Sequence, residues 1–229
     1  MKLGTICVLI VAGLALSAQG GVIMGPTAEV LVNNQSTDLI VRTLFDDTQG
    51  VWTMSGDVET AEYKITISAT TKEDPFIQYG VTAQNFMAVP QTFSFAFSTP
   101  IVPAPYSAAF ASVSGSMTDD ISGNGVTITP VFAKLQRAFA AAPVTNLGVD
   151  VGNGGTGGPG APLMSYTLAA DSLNNTFAPT SFNTLSLNLD FTLTANDVAT
   201  FNGGVEITPE PGCLSLLGLA GLALLRRRS

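Results

Sequence analysis

Apolar and polar side chains alternate with a period of two along much of this chain. Leu185, Leu187, Leu189, Phe191 and Leu193 alternate with Ser186, Asn188, Asp190 and Thr192. Phe93, Phe95 and Phe97 alternate with Thr92, Ser94 and Ala96, and Tyr63, Ile65 and Ile67 with Lys64, Thr66 and Ser68. Successive side chains of a strand point to opposite faces, so each segment predicts a strand with one face in a core and one in water. The many Thr, Val and Phe residues suit a pleated surface. Further strands are expected over residues 29–32, 39–45, 51–55, 108–117, 126–133, 163–170 and 198–207. Gly, Asn, Asp and Pro separate them, and nothing repeats a strand–helix–strand rhythm. The expected fold is all-β: a single antiparallel β-sandwich or jelly-roll-like domain.

Three local expectations qualify that picture. Leu135, Ala138, Phe139 and Ala142 fall at i, i+3, i+4 and i+7 ahead of Pro143, which predicts one helix over 134–142. It reads as a short connector at one end of the sandwich, carrying Lys134 and Arg137. The glycine run over 152–160 holds no strand or helix former and is expected to be a long, mobile hairpin loop. A phosphate-binding loop would need a following helix, and Met164-Ser165-Tyr166 reads as strand. Trp52 alternates with Met54 on one face and is expected in the core.

Both ends differ from this middle. Lys2 precedes an apolar stretch, Ile6 to Leu16, and the small residues Ser17, Ala18 and Gly20 follow. That order predicts a secretory signal peptide over 1–20, cut before Gly21, with a cut after Ala18 as the competing choice. At the other end, Pro209-Glu210-Pro211 is followed by 212–225 without a charge, and then by Arg226, Arg227 and Arg228. Fourteen residues span about 21 Å as a helix, against roughly 30 Å of hydrocarbon. Such a helix is a marginal anchor, and its Arg cluster keeps the C-terminus on the cytoplasmic side. Pro-Glu-Pro, a Leu/Gly/Ala-rich span and a terminal Arg run together resemble the PEP-CTERM protein-sorting signal, here over 209–229. The resemblance implies recognition by an exosortase, a membrane cysteine protease, with cleavage near Pro209, Glu210 and Pro211. It further implies an exported protein, membrane-anchored as a precursor and then at the cell surface or outside it, of a bacterium that makes extracellular polysaccharide. It says almost nothing about what the segment 21–208 does.

That segment contains neither cysteine of the chain, since Cys7 and Cys213 lie in the two ends. No internal disulfide can staple it, so its 188 residues rely on their own core. Without Lys2, Arg226 to Arg228 and Glu210, it keeps 5 of the 9 basic and 16 of the 17 acidic residues, a net charge of −11. So acidic a surface repels nucleic acid and anionic lipid, and its plainest role is solubility outside the cell.

The chemistry inventory is short. The chain has no His, which removes the Ser-His-Asp triad, most zinc sites and the commonest general base. Carboxylates alone can cleave glycans, but Asp46-Asp47, Asp57/Glu59/Glu62, Glu73-Asp74 and Asp119-Asp120 all adjoin turn residues and read as solvated turn charge. Asp120, Ser122 and Asn124 followed by Gly125 match the first half of a calcium loop, with oxygens at positions 1, 3 and 5 and Gly at 6. Position 12 is Val131, where a bidentate Glu belongs. Asn124-Gly125 before Val126-Thr127-Ile128-Thr129 is also a hairpin signal. A plain turn is expected, with a weak loop-only Ca²⁺ site as the second reading. No catalytic or cofactor-binding residue is expected.

These features point to a non-catalytic, exosortase-sorted surface or matrix protein associated with exopolysaccharide. The alternatives are a carbohydrate-binding module and, less favoured, a carboxylate-dependent glycan-active enzyme. Intact-mass measurement of protein from the producing cells checks the processing: the expected species starts near Gly21 and ends near Pro211. Protein that retains Leu214 to Ser229 throughout would contradict cleavage.

Overall fold

The computed structural model describes residues 25–210 apart from 73–74, 120–122, 142–143 and 161–162. The expected signal peptide, Pro211, the C-terminal apolar span and Arg226 to Arg228 lie outside the described residues. Thirteen strands and no helix are found among the described residues. They are β1 Thr27–Val32, β2 Gln35–Ser36, β3 Arg42–Asp46, β4 Val51–Glu59, β5 Tyr63–Lys72 and β6 Phe76–Asn85. Then follow β7 Gln91–Asp119, β8 Val126–Pro130, β9 Gln136–Ala141, β10 Thr145–Asn146, β11 Gly155–Gly157, β12 Ser165–Leu193 and β13 Asp197–Pro209. The pairing is antiparallel throughout, as expected.

Strands β7 and β12 are 29 residues each and organise the rest. They pair from Gln91–Leu193 at one end to Thr118–Ser165 at the other. The first part of β7 also pairs with β1, and the last part of β12 with β9 and β8. The second part of β7 pairs with β13, beyond which lie β6, β5, β4 and β3 in order. The register shifts in the middle, across Pro179 on β12 and across Pro100 to Pro105 on β7. Proline has no N–H to give the ladder, so each strand bulges and bends there without ending. Reading these prolines as breaks predicts two short strands in place of each long one.

The bend brings the two halves of the sheet face to face, which makes the fold sandwich-like. Tyr79 of β6 stacks on Phe97 of β7 with ring centroids 5.5 Å apart. Phe201 of β13 packs on Phe191 of β12 at 4.8 Å. The odd-numbered residues Phe93, Phe95, Phe97, Leu185, Leu187, Leu189, Phe191 and Leu193 are all buried, as their alternation predicts.

Residues 134–142 correct the helix expectation. Residues 131–135 are a bend and Gln136–Ala141 is strand β9, with Ala138 and Ala140 buried opposite Leu187 and Leu185. Apolar positions at Leu135, Ala138 and Phe139 fit a helical stripe, but Ala138 and Ala140 also fit a strand. The free edge of β12 decides, because β9 pairs its backbone groups along six residues. Lys134 instead reaches Asn153 at 2.7 Å and Asp171 at 3.5 Å, and Arg137 reaches Asp190 at 3.0 Å.

The glycine run is also more ordered than expected. Gly155–Gly157 pairs with β8, and Gly152 N–H donates to Asp171 Oδ2 at 2.8 Å. That donation, with Lys134 nearby, holds the Asp171 carboxyl below its ordinary range. The Tyr166 ring lies where a side chain at Gly157 would go, 2.3 Å from the nearest ring atom. Glycine is needed here for close approach. Trp52 is half-buried against the exposed Phe45, centroids 4.7 Å apart, while Met54 is buried. The core thins at this edge, where every residue of β3 is exposed.

Among the polar links across the core, one joins three elements. Tyr79 O–H donates to Gln136 Oε1 at 2.8 Å, and Gln136 Nε2 donates to the Gly204 carbonyl at 3.0 Å. Burial pushes the Tyr79 hydroxyl far above its ordinary range, so it stays a donor. A Cβ at Gly203 would lie 2.7 Å from both Gln136 Oε1 and Tyr79 Oη, and 2.6 Å from the Ser112 carbonyl. Gly203→Ala is therefore expected to cost about 1–3 kcal/mol, a fall of roughly 2–10 °C in Tm. Gly158→Ala, with nothing within 4 Å, is the neutral control. Equal melting temperatures for the two variants would contradict the bridge.

Candidate functional site

The outward face of the larger half of the sheet is built from the even-numbered residues of β5, β6, β13 and β7. The strand register sets them in rows. Thr70, Gln78, Gly204 and Ser112 form one row, and Ser68, Gly80, Asn202 and Ser114 the next. Thr66, Thr82, Thr200 and Ser116 form a third. Hydroxyls of neighbouring strands touch, as with Thr82 Oγ1 and Thr200 Oγ1 at 3.3 Å. The centre of this face carries hydroxyls and amides but no charge.

At one end the face deepens into an open groove of about 570 Å³. Its row there runs Lys72, Phe76, Glu206, Phe110 and Asn174. Phe110 is 39% exposed despite its size, so a ring is presented to solvent in a groove that Gln78 and Asn202 also line. Gly204 keeps the floor low, since a Cβ there would meet the Ile77 carbonyl at 2.6 Å. Glu206 is the one carboxylate among the described residues that line the groove.

The opposite half of the sheet has a smaller depression of about 230 Å³, lined by Glu29, Leu31, Ser94, Asn188 and Asp190. Both oxygens of Asp190 are engaged there: Oδ1 accepts from the Ser94 hydroxyl, and Oδ2 from Arg137. The Arg137 guanidinium also lies 3.5 Å from the centre of the Phe132 ring. Asp190 is thus engaged within the fold by the Ser94 hydroxyl and the Arg137 guanidinium.

The sequence-predicted site residues are divided. Asp120 and Ser122 lie outside the described residues, so the calcium half-motif is seen only from Asn124 onward. Asn124 is exposed, and Gly125 takes φ +91°. The hairpin expected at Asn124-Gly125 does not form, because β8 pairs with β11 and β12. Among the described residues no three His, Cys, Asp or Glu converge on a metal position. Asp46, Asp47, Asp57, Glu59 and Glu62, read as turn charge, are exposed, but Asp57 and Glu59 stand on β4 rather than in a turn, and Glu73 and Asp74 lie outside the described residues. Asp119 corrects that reading: it is fully buried at the end of β7. Its neighbours in sequence are turn-like, but its partner in space is a core strand. Of the Pro-Glu-Pro stretch expected to be a sorting motif, Pro209 ends β13 opposite Tyr106, and Glu210 N–H donates to the Pro105 carbonyl at 3.0 Å.

Of the strands that build the groove, β6 is absent from the sequence expectations, so the rows that gather the groove residues are too. Ile77, Tyr79, Val81 and Ala83 are buried alternately and carry the usable signal.

No protein-family model matches the chain, and no curated protein matches its sequence. Among solved structures the chain is similar to the carbohydrate-binding module TmCBM61, solved in complex with beta-1,4-galactotriose. The TM-score is 0.29 and the identity 9%, over 76% of this chain and 90% of that one.

Proposed function

We propose that this is an exported, non-catalytic protein that holds extracellular polysaccharide on the outer face of β5, β6, β13 and β7. The observation that carries the reading is the composition of that face. A neutral glycan offers many hydroxyls and weakly apolar C–H faces. Side-chain hydroxyls and amides both donate and accept, so rows of Ser, Thr, Asn and Gln match the hydroxyls without a charge to desolvate. A half-exposed ring such as Phe110 supplies the apolar platform. The groove is open, which suits a chain passing through rather than a small molecule enclosed.

The reading includes residues 21–208 as one sandwich domain of jelly-roll-like kind, released from its two processed ends. Export, exosortase sorting through Pro209, Glu210 and Pro211, and a location at the cell surface or outside complete it. The tail resemblance supports those steps. A glycosidase would need a second carboxylate across the groove from Glu206; Glu206 is the one carboxylate among the described residues that line the groove, which supports the non-catalytic reading.

Retention of the exported protein on the producing cells' own polysaccharide tests this. Phe110→Ala should weaken retention by about threefold to tenfold, the size of one aromatic contact. Asn202→Ala should weaken it as well, and Phe132→Ala, on the other half of the sheet, should not. Failure of the unaltered protein to bind would leave an inert matrix component. New reducing ends that vanish in Glu206→Ala would make it an enzyme.

A further inference from the structure

The β7–β13 ladder ends in two carboxylates that no part of the glycan reading uses. Asp119 is the last residue of β7, Asp197 the first of β13, and the two are direct cross-strand partners. Both are 0% exposed. Directly opposed residues have Cβ atoms about 4.5–5.5 Å apart, so the two carboxylates enter one buried space. Each has an oxygen already capped. Gly125 N–H donates to Asp119 Oδ2 at 2.7 Å, and the Thr194 hydroxyl donates to Asp197 Oδ2. The second oxygen of Asp119, Oδ1, is buried and accepts no hydrogen bond.

Such an oxygen is costly, because a buried carboxylate oxygen without a partner has lost its solvation and gained no hydrogen bond. The basic residues of segment 21–208 are placed elsewhere. Lys64 pairs with Glu59 at 2.8 Å, Lys134 with Asp171 and Arg137 with Asp190. Arg42 lies on β3, four strands across the sheet from β13. Lys72 is level with Glu206, at the far end of β13 from Asp197. Among the described residues, the ion pairs of Lys64, Lys134 and Arg137 and the strand positions of Arg42 and Lys72 lie away from Asp119 Oδ1.

We propose that Asp119 and Asp197 hold a calcium ion at this end of the sheet, with Asp119 Oδ1 as a ligand oxygen. The donor set selects the metal. The described residues offer oxygen only, with no His or Cys, which disfavours zinc and the softer metals. With two carboxylates, the remaining positions fall to backbone carbonyls and water. Calcium accepts such mixed, irregular oxygen shells, whereas magnesium demands near-octahedral geometry and gives up its water reluctantly. The site differs from the loop-only motif at Asp120, Ser122 and Asn124, which it does not require. The site uses none of the groove residues, so it stands whether or not the protein binds glycan.

The test uses the full chain in mild detergent, stripped with EDTA and titrated with calcium chloride by calorimetry and by thermal melting. Extracellular calcium modules bind at roughly 10⁻⁴–10⁻³ M, so millimolar Ca²⁺ should raise Tm by about 3–6 °C over EDTA, and equal Mg²⁺ by less. Asp119→Asn should weaken calcium at least tenfold while melting at or above the unaltered protein in EDTA, since one buried charge is gone. Asp197→Asn is the second variant, should the first fail to fold. Three results would overturn the proposal: no calcium isotherm for the unaltered protein, calcium affinity unchanged in the variants, or a pair balanced by a shared proton. The last would show as stability that falls from acid to neutral pH with no response to calcium.

Discussion

The pairing of β7 with β12 is the constraint on which the rest of the structure depends. Each of the two strands belongs to both halves of the sheet, so their mutual register sets the relative position of everything else. That register is tightly specified. Phe93, Phe95 and Phe97 on one strand and Leu185 to Leu193 on the other are buried at every second position. A slip of one residue would turn all of these side chains to solvent together. The prolines in mid-strand bend this ribbon without ending it, and the bend is what lets Tyr79 reach Phe97 and Gln136 across a shared core. With no cysteine in segment 21–208, close packing and buried polar links such as this bridge and Thr99–Thr71 take the place a disulfide would fill.

Long stretches of the fold were legible because period two is a local signal. The strands around Phe93, Tyr63 and Leu185 stand where their alternation places them. What failed was whatever depended on partners distant in sequence. Residues 134–142 fit a helix and a strand equally well, and only the open edge of β12 chooses between them. Strand β6 alternates too, but its outward Gly80 and small inward Ala83 dilute the pattern. Asp119 looks like turn charge beside Asp120 and Gly123, and its burial appears only once Asp197 lies opposite. The candidate groove was the least legible of all. Gln78, Phe110, Asn202 and Glu206 come from three strands and form no motif, and register alone gathers them.

Two very different surfaces follow from the same backbone. The middle of the outer face, level with Thr82, Thr200 and Ser116, is uncharged and rich in hydroxyls, while the acidic residues gather at edges and turns. In the proposed reading, the charged rim keeps the protein in solution while the uncharged face meets a neutral polymer. The C-terminal motif begins where the sheet ends, since Pro209 still pairs with Tyr106 and Glu210 with Pro105. A protease acting at Pro209, Glu210 and Pro211 would thus meet a cleavage region that starts on the last rung of β13.

A paired-cysteine experiment tests the central pairing most directly. Ser98 and Ser186 face each other on β7 and β12 with hydroxyl oxygens 3.1 Å apart. With Cys7 and Cys213 changed to Ser, no other thiol remains in the chain. Ser98→Cys with Ser186→Cys should then close a disulfide on mild oxidation, read as one cross-linked peptide pair by mass spectrometry. Ser98→Cys with Leu187→Cys puts the second thiol on the opposite face and should stay reduced. Free thiols in the first variant, or a disulfide in the second, would contradict the register and the two-layer fold built on it.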